Sequence, residues 1–86
     1  MALVKVHFMG GFAELGCGDL ELEVSNYADL VLKVARNCPI LSKYLLNEPE
    51  GIKSDFLAFC RGRVISDLSF VFEDGDEIAF YPPVTW

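Results

Sequence analysis

Residues 73–83, which read EDGDEIAFYPP, are the most specific part of this sequence for its fold. Its first four residues predict a tight acidic turn, because Asp and Gly favour turn conformations. Residues 77–81 then predict the last strand of the chain. Pro82 and Pro83 end the hydrogen-bond ladder of this strand, because proline has no N–H to donate.

Two further strands are predicted at the start of the chain. Apolar and polar side chains alternate in residues 3–9 and again in residues 19–24, as in strands with one buried face. A glycine-rich loop joins the two segments, which indicates a hairpin. In such a hairpin Lys5 can pair across the strands with Glu21 or Glu23.

The spacing of apolar residues changes to that of a helix after Ser25. Asn26 is a suitable N-cap, and Asp29 follows three residues later as in a capping box. Pro39 ends the helix, because the residue before a proline is pushed out of the helical conformation. One helix face carries an apolar stripe formed by Leu30, Val31, Val34, Ala35 and Cys38.

The segment between this helix and the last strand is less regular. Residues 41–46 predict a short second helix, and the polar residues 47–54 predict a loop. Residues 56–60 predict an apolar strand, and a turn at residues 61–63 leads to a short partner strand at residues 64–65. The order of strands and helices therefore predicts one α+β roll spanning residues 1–86, with a main helix across one face of a mixed sheet of four to five strands.

The length and net charge of the chain disfavour several classes of function. The chain has 86 residues and a net charge of −6. This charge disfavours binding to nucleic acid or to an anionic membrane and favours a basic protein partner. A domain of this size is more often a binder or carrier than an enzyme, and the sequence predicts no catalysis, no cofactor and no metal site.

The three cysteines, Cys17, Cys38 and Cys60, are widely spaced. Their odd number and spacing predict neither a disulfide framework nor a zinc site, which favours a reducing, cytoplasmic setting. Cys60 is expected to be a buried apolar cysteine. The only histidine, His7, lies on the outward side of the first strand and has no partner suited to metal binding or catalysis. No apolar run approaches the length of a membrane span, and the chain starts directly with a strand, so no signal peptide is expected.

The closing segment, DGDEIAFYPPVT at residues 74–85, resembles the end of the molybdopterin synthase small subunit, a sulfur carrier of the ubiquitin-like β-grasp fold. Members of that family end D-G-D-E-V-A, two residues that are Phe or Leu, P-P-V, Ser or Thr, and G-G. The first strand and residues 14–16, which read ELG, are similar to the family as well. The resemblance covers nearly the whole chain. It implies that the first and last strands pair in parallel at the centre of a β-grasp sheet.

The resemblance also implies a function. In that family an activating enzyme adenylates the terminal glycine, which becomes a thiocarboxylate and delivers sulfur inside the large subunit. The implied partners are therefore a molybdopterin synthase large subunit or an activating enzyme. This chain has Trp86 in place of Gly-Gly, and Ala13 where the family commonly has Arg. The bulky indole is expected to block the thiocarboxylate chemistry while leaving protein docking intact.

Two other hypotheses remain open. Residues 10–16 and the helix that ends at Pro39 resemble, more loosely, the tail-tip assembly protein I of lambda-like phages, which predicts a structural role with tail proteins as partners. A ubiquitin-like modifier is the third hypothesis, and it also needs a C-terminal glycine.

Candidate partner-binding residues follow from these readings. Exposed aromatic side chains such as Tyr81 and Trp86 can anchor a partner, although Trp86 can equally fold back on its own sheet. Phe59 belongs either to a docking face or to the core. Arg61 and Arg63 flank a glycine and can grip a carboxylate with two hydrogen bonds, or lie in a solvated turn. The full predicted set is Phe59, Arg61, Arg63, Tyr81, Pro83, Val84 and Trp86.

Overall fold

The structure is a computed structural model that describes residues 1–46, 51–52 and 56–82. Five strands form one mixed sheet. They are β1 (Ala2–Phe8), β2 (Leu20–Val24), β3 (Leu57–Cys60), β4 (Arg63–Ile65) and β5 (Glu77–Tyr81). The main helix is α1 (Tyr27–Asn37), and a short 3₁₀ turn (Pro39–Leu41) leads into α2 (Ser42–Leu45).

The strand order across the sheet is β2-β1-β5-β3-β4. β1 and β5 pair in parallel, with Val6 opposite Ile78, and the other neighbouring strands pair antiparallel. The predicted parallel pairing of the first and last strands is confirmed, as is the mixed sheet with one main helix. The fold is a ubiquitin-like β-grasp.

Helix α1 begins and ends where the sequence predicts. The Asn26 side chain accepts a hydrogen bond from the Asp29 N–H at 2.9 Å, and the Asp29 carboxylate accepts one from the Ser25 N–H at 2.9 Å. These bonds satisfy N–H groups that the first helical turn would otherwise leave unpaired. The helix ends at Asn37 with Cys38 as its C-cap, directly before Pro39.

The core lies between the sheet and α1. The predicted apolar stripe of the helix is buried there, against one face of the sheet. The strands contribute alternate residues, among them Val4, Val6, Ala58, Ile78 and Phe80. Among the described residues, no polar or charged side chain is buried.

The connection between β1 and β2 departs from the prediction. The sequence predicted a loop, but residues Gly10–Leu15 form a 3₁₀ helix, and Phe12 within it is fully buried. The Phe12 ring lies 6.1 Å from that of Tyr44, measured between centroids. The four residues between Gly11 and Gly16 are too few to show a helical or strand period, so the sequence pattern gave no signal for this turn.

The cysteine prediction is wrong. Cys17 and Cys38 are joined by a disulfide, with their Cα atoms 6.0 Å apart, which is a normal separation for such a bond. They lie 21 residues apart in the chain, and the fold brings the β1–β2 connection next to the end of α1. Cys60 is the free cysteine and is buried, as predicted.

Candidate functional site

The open face of the sheet, opposite α1, is the candidate functional site. Because side chains alternate along a strand, the residues between the core positions point to this face. Its apolar half lies on β5, β3 and β4 and consists of Leu57, Phe59, Val64, Ala79 and Tyr81. Its charged half lies mainly on β2 and β1 and consists of Lys5, His7, Asp19, Glu21, Glu23 and Glu77.

The side chains of the apolar half are exposed or partly exposed to solvent, and two of its aromatic rings are in contact. Val64 is 53% exposed, Leu57 39% and Tyr81 36%. The rings of Phe59 and Tyr81 meet edge to face, with centroids 5.2 Å apart. Leu57 lies opposite Tyr81 in the register, and Phe59 lies opposite Ala79. Neighbouring large apolar side chains that stay exposed to solvent are typical of a docking surface.

A shallow depression marks the boundary between the two halves. The small side chain of Ala79 lies between His7 on β1 and Phe59 on β3, its register partners on either side. The resulting depression has a volume of about 230 Å³, and Arg61 is among the residues that line it.

His7 is outward-facing, as predicted, but it is held by two carboxylates. Its Nε2 lies 2.9 Å from the Glu77 carboxylate, and its Nδ1 lies 3.2 Å from that of Asp19. The imidazole thereby connects β1 to β5 and to the residue that precedes β2. Sequence reasoning did not find this bridge, because Glu77 is 70 residues away in the chain.

Lys5 lies opposite Glu21, but no ion pair joins Lys5 to Glu21 or Glu23 in the part of the chain that the structure describes. The charged half therefore presents two glutamates on β2 to solvent. Its overall sign is acidic, with four carboxylates against one lysine and one histidine.

Arg61 does grip a carboxylate with two hydrogen bonds, but the carboxylate belongs to its own chain. Its Nε donates to Asp76 at 3.1 Å and its terminal nitrogen donates at 2.6 Å. These bonds to the guanidinium hold the pKa of Asp76 below its ordinary value, with a further contribution from the Glu73 N–H. The guanidinium also lies over the Phe70 ring, 5.4 Å from its centroid.

The predicted partner-binding residues are thus only partly brought together. Phe59 and Tyr81 are in contact on the open face, and Arg61 lies at the edge of the depression. Arg63 is exposed on the edge strand β4. Pro83, Val84 and Trp86 lie outside the described residues. Sequence reasoning missed Leu57 and Val64, which the alternation along β3 and β4 could have indicated.

Within the described ranges, no group of three or more His, Cys, Asp or Glu side chains is arranged to hold a metal ion. The Cys60 thiol is buried, and this burial raises its pKa. None of the helices in the described ranges is long and apolar enough to cross a membrane.

No protein-family model matches the chain, and no curated protein gives a significant match. Solved structures do match. Small archaeal modifier protein 1 of Methanosarcina acetivorans has a TM-score of 0.85 and 23% identity, covering 100% of this chain and 97% of that one. The candidate molybdopterin converting factor subunit 1 of Pyrococcus furiosus has a TM-score of 0.76 and 23% identity, covering 98% and 100%.

A third match is a protein–protein complex of subunits 1 and 2 of the molybdopterin-converting factor from Helicobacter pylori. Its TM-score is 0.69 at 20% identity, and it covers 95% of each chain. These similarities establish that the chain shares its fold with small archaeal modifier protein 1 and with the matched molybdopterin converting factor subunits. The resemblance to phage tail-tip assembly proteins finds no support among them.

Proposed function

We propose that this chain is a small carrier-type subunit that acts by docking the open face of its sheet on a larger protein. The observation that carries the proposal is the exposed apolar half, in which Phe59 and Tyr81 form an ordered aromatic pair. Covering such a partly exposed apolar surface with a partner removes apolar area from water and is favourable.

The charge of the open face indicates which side chains a partner would bring to it. The carboxylates of the charged half border the apolar half through His7 and Glu77. A complementary partner therefore offers an apolar side chain to the depression beside Ala79 and basic side chains to Glu21 and Glu23. Charge complementarity of this kind raises the association rate and rejects acidic partners.

The matched structures support a partner of a particular class. One of them is a complex between a subunit that shares this fold and a second subunit of the molybdopterin-converting factor. We expect the partner of this chain to be a large subunit of that type or a carrier-activating enzyme. In either case we expect this chain to act as a docking or carrier subunit and not as the catalytic one.

The test is affinity capture from the source organism with three versions of the protein. These are the wild type, a Phe59→Ser/Tyr81→Ser variant, and a Leu32→Ser control. Leu32 is 47% exposed on α1, away from the open face. We expect the wild type and the control to capture the same protein, and the face variant to lose it.

Calorimetry with the captured protein then gives the affinity. We expect Kd to rise more than about tenfold in the face variant, since buried aromatic anchors dominate most interfaces. The proposal is wrong if the face variant binds every captured protein as tightly as the Leu32→Ser control does.

The predicted effect of Trp86 on carrier chemistry has its own test. Replacing Trp86 by Gly-Gly is expected to permit adenylation by a carrier-activating enzyme, because glycine has no Cβ and can enter a narrow active site. Pyrophosphate release measures adenylation. Equal release by the unaltered chain and the Gly-Gly version would contradict the prediction.

A further inference from the structure

The disulfide joins a turn to a rigid part of the fold. Cys38 is anchored on both sides, since its N–H donates to the Val34 carbonyl at 2.8 Å and its carbonyl accepts from the Leu41 N–H at 2.9 Å. Cys17 lies in the connection that follows the 3₁₀ helix Gly10–Leu15. The bond therefore fastens this connection to the end of α1.

The other end of the β1–β2 connection, at Met9 and Gly10, lies against the end of β5 and Pro82, which follows it. At Gly10 a Cβ would approach the Pro82 side chain to 3.3 Å, so the glycine allows the turn to lie directly on Pro82. One residue earlier, the Met9 N–H donates to the Phe80 carbonyl at 2.9 Å. The 3₁₀ turn therefore lies between the disulfide-bonded Cys17 and the point where the chain leaves β5.

The two cysteines differ in their exposure to solvent. Cys38 is buried, whereas Cys17 is half-buried. Gly16 and Gly18 flank Cys17 with φ values of 85° and 68°, and an added Cβ at either glycine would meet nothing within 4 Å. Cys17 is the more exposed of the two cysteines, so we expect a thiolate to attack its sulfur, with Cys38 as the leaving group.

We propose that the disulfide between Cys17 and Cys38 forms and breaks reversibly, and that it holds the 3₁₀ turn against Pro82, where the chain leaves β5. We call this disulfide the redox clasp. On closure, two thiols lose two protons and two electrons, and one S–S bond forms. The electrons pass to a disulfide oxidant such as oxidised glutathione, which becomes two molecules of reduced glutathione. Reduction reverses these steps. The clasp does not depend on whether the open face docks a partner.

The redox state is measured by incubating the whole protein in glutathione buffers of different ratio, then blocking its thiols with an alkylating reagent under denaturing conditions. Intact mass should show one modified cysteine in oxidising buffer and three in reducing buffer, because the chain has three cysteines and Cys60 is the free one. The proposal is overturned if three cysteines are modified at every ratio or if the oxidised product is a disulfide-linked dimer.

Thermal unfolding tests the clasp as a structural link. Closing a loop of this length restricts the unfolded chain, so the oxidised protein should have a Tm about 10 °C higher than the reduced protein. This difference should vanish in Cys17→Ser and persist in the matched control Cys60→Ala. Equal Tm values for the two redox states of the wild type would also overturn the proposal.

Amide hydrogen exchange tests the positioning role on the wild type alone. We expect reduction to accelerate exchange of the Met9 amide by about tenfold or more, because its bond to Phe80 is next to the released turn. The Lys5 amide, which donates to the Asp76 carbonyl at 2.9 Å in the middle of β1, is the internal control and should change less. Equal acceleration of both amides would mean that the disulfide affects only overall stability, and would refute the positioning role.

Discussion

Arg61 occupies a backbone conformation that few residues with side chains adopt. Its φ is 54°, the single positive value at a non-glycine residue in the described ranges, and Gly62 follows with a φ of 74°. A residue with a Cβ is disfavoured in this left-handed region. The two hydrogen bonds between Arg61 and Asp76 connect the turn between β3 and β4 with the turn that precedes β5. Asp76 also accepts from the Glu73 N–H at 2.8 Å, so one carboxylate orders both turns.

Replacing Asp76 by Asn should lower Tm by several degrees at neutral pH. The folded-state pKa of Asp76 is depressed, so its contribution to stability is present above its unfolded pKa of about 3.9 and is lost as pH falls through the lower folded value. Thermal melts from pH 7 to pH 2 should therefore show the two proteins converging in acid.

The matched control for this prediction is Glu73→Gln. Its carboxylate is 81% exposed and lies 3.6 Å from Arg61, so its removal should change Tm little. A difference between wild type and Asp76→Asn that stays constant down to pH 2 would contradict the assigned role of the carboxylate.

The 3₁₀ turn Gly10–Leu15 is the element whose structure depends most on tertiary contacts. Six residues of 3₁₀ helix are not stable on their own, because the hydrogen-bond geometry is poor. Burial of Phe12 beside Tyr44 and the disulfide at Cys17 hold the turn in place instead. Helix α1 is the opposite case, since its cap, apolar stripe and terminating proline were all apparent in the sequence.

Phe12→Ala should reduce the free energy of unfolding by about 3–5 kcal/mol, because truncating a fully buried ring removes apolar contacts and leaves a cavity. Urea unfolding measures the change. Leu32→Ala, on the exposed side of α1, is the control and should change stability by less than about 0.5 kcal/mol. A loss of similar size in the two variants would show that Phe12 does not anchor the turn.

The order of the strands in the sheet separates the charged half of the open face from its apolar half. The acidic strand β2 lies at one edge and the apolar strands β3 and β4 lie towards the other, with β1 and β5 between them. A partner that approaches the open face meets negative charge on one side and apolar side chains on the other. The net charge of −6 adds a general attraction for basic proteins.

Electrostatic steering should make docking depend on salt. Glu21→Lys should slow association with the captured partner by about tenfold at low ionic strength, and the difference should shrink as salt screens the charges. Stopped-flow mixing measures the rate. Glu14→Lys makes the same change of charge in the 3₁₀ turn, outside the open face, and should slow association less. Equal slowing by both variants would mean that only net charge matters.

Patterns within short segments were enough to predict the strands, the main helix and the β-grasp class of this chain. Strand alternation and helical spacing are local properties, and the closing segment carried the resemblance to the sulfur carriers. The contacts at the site were decided by the tertiary structure. The His7–Glu77 bridge, the Arg61–Asp76 pair and the Cys17–Cys38 bond each join residues from different elements. No local pattern predicts such pairs, because the two residues of each pair come close together only when the whole chain has folded.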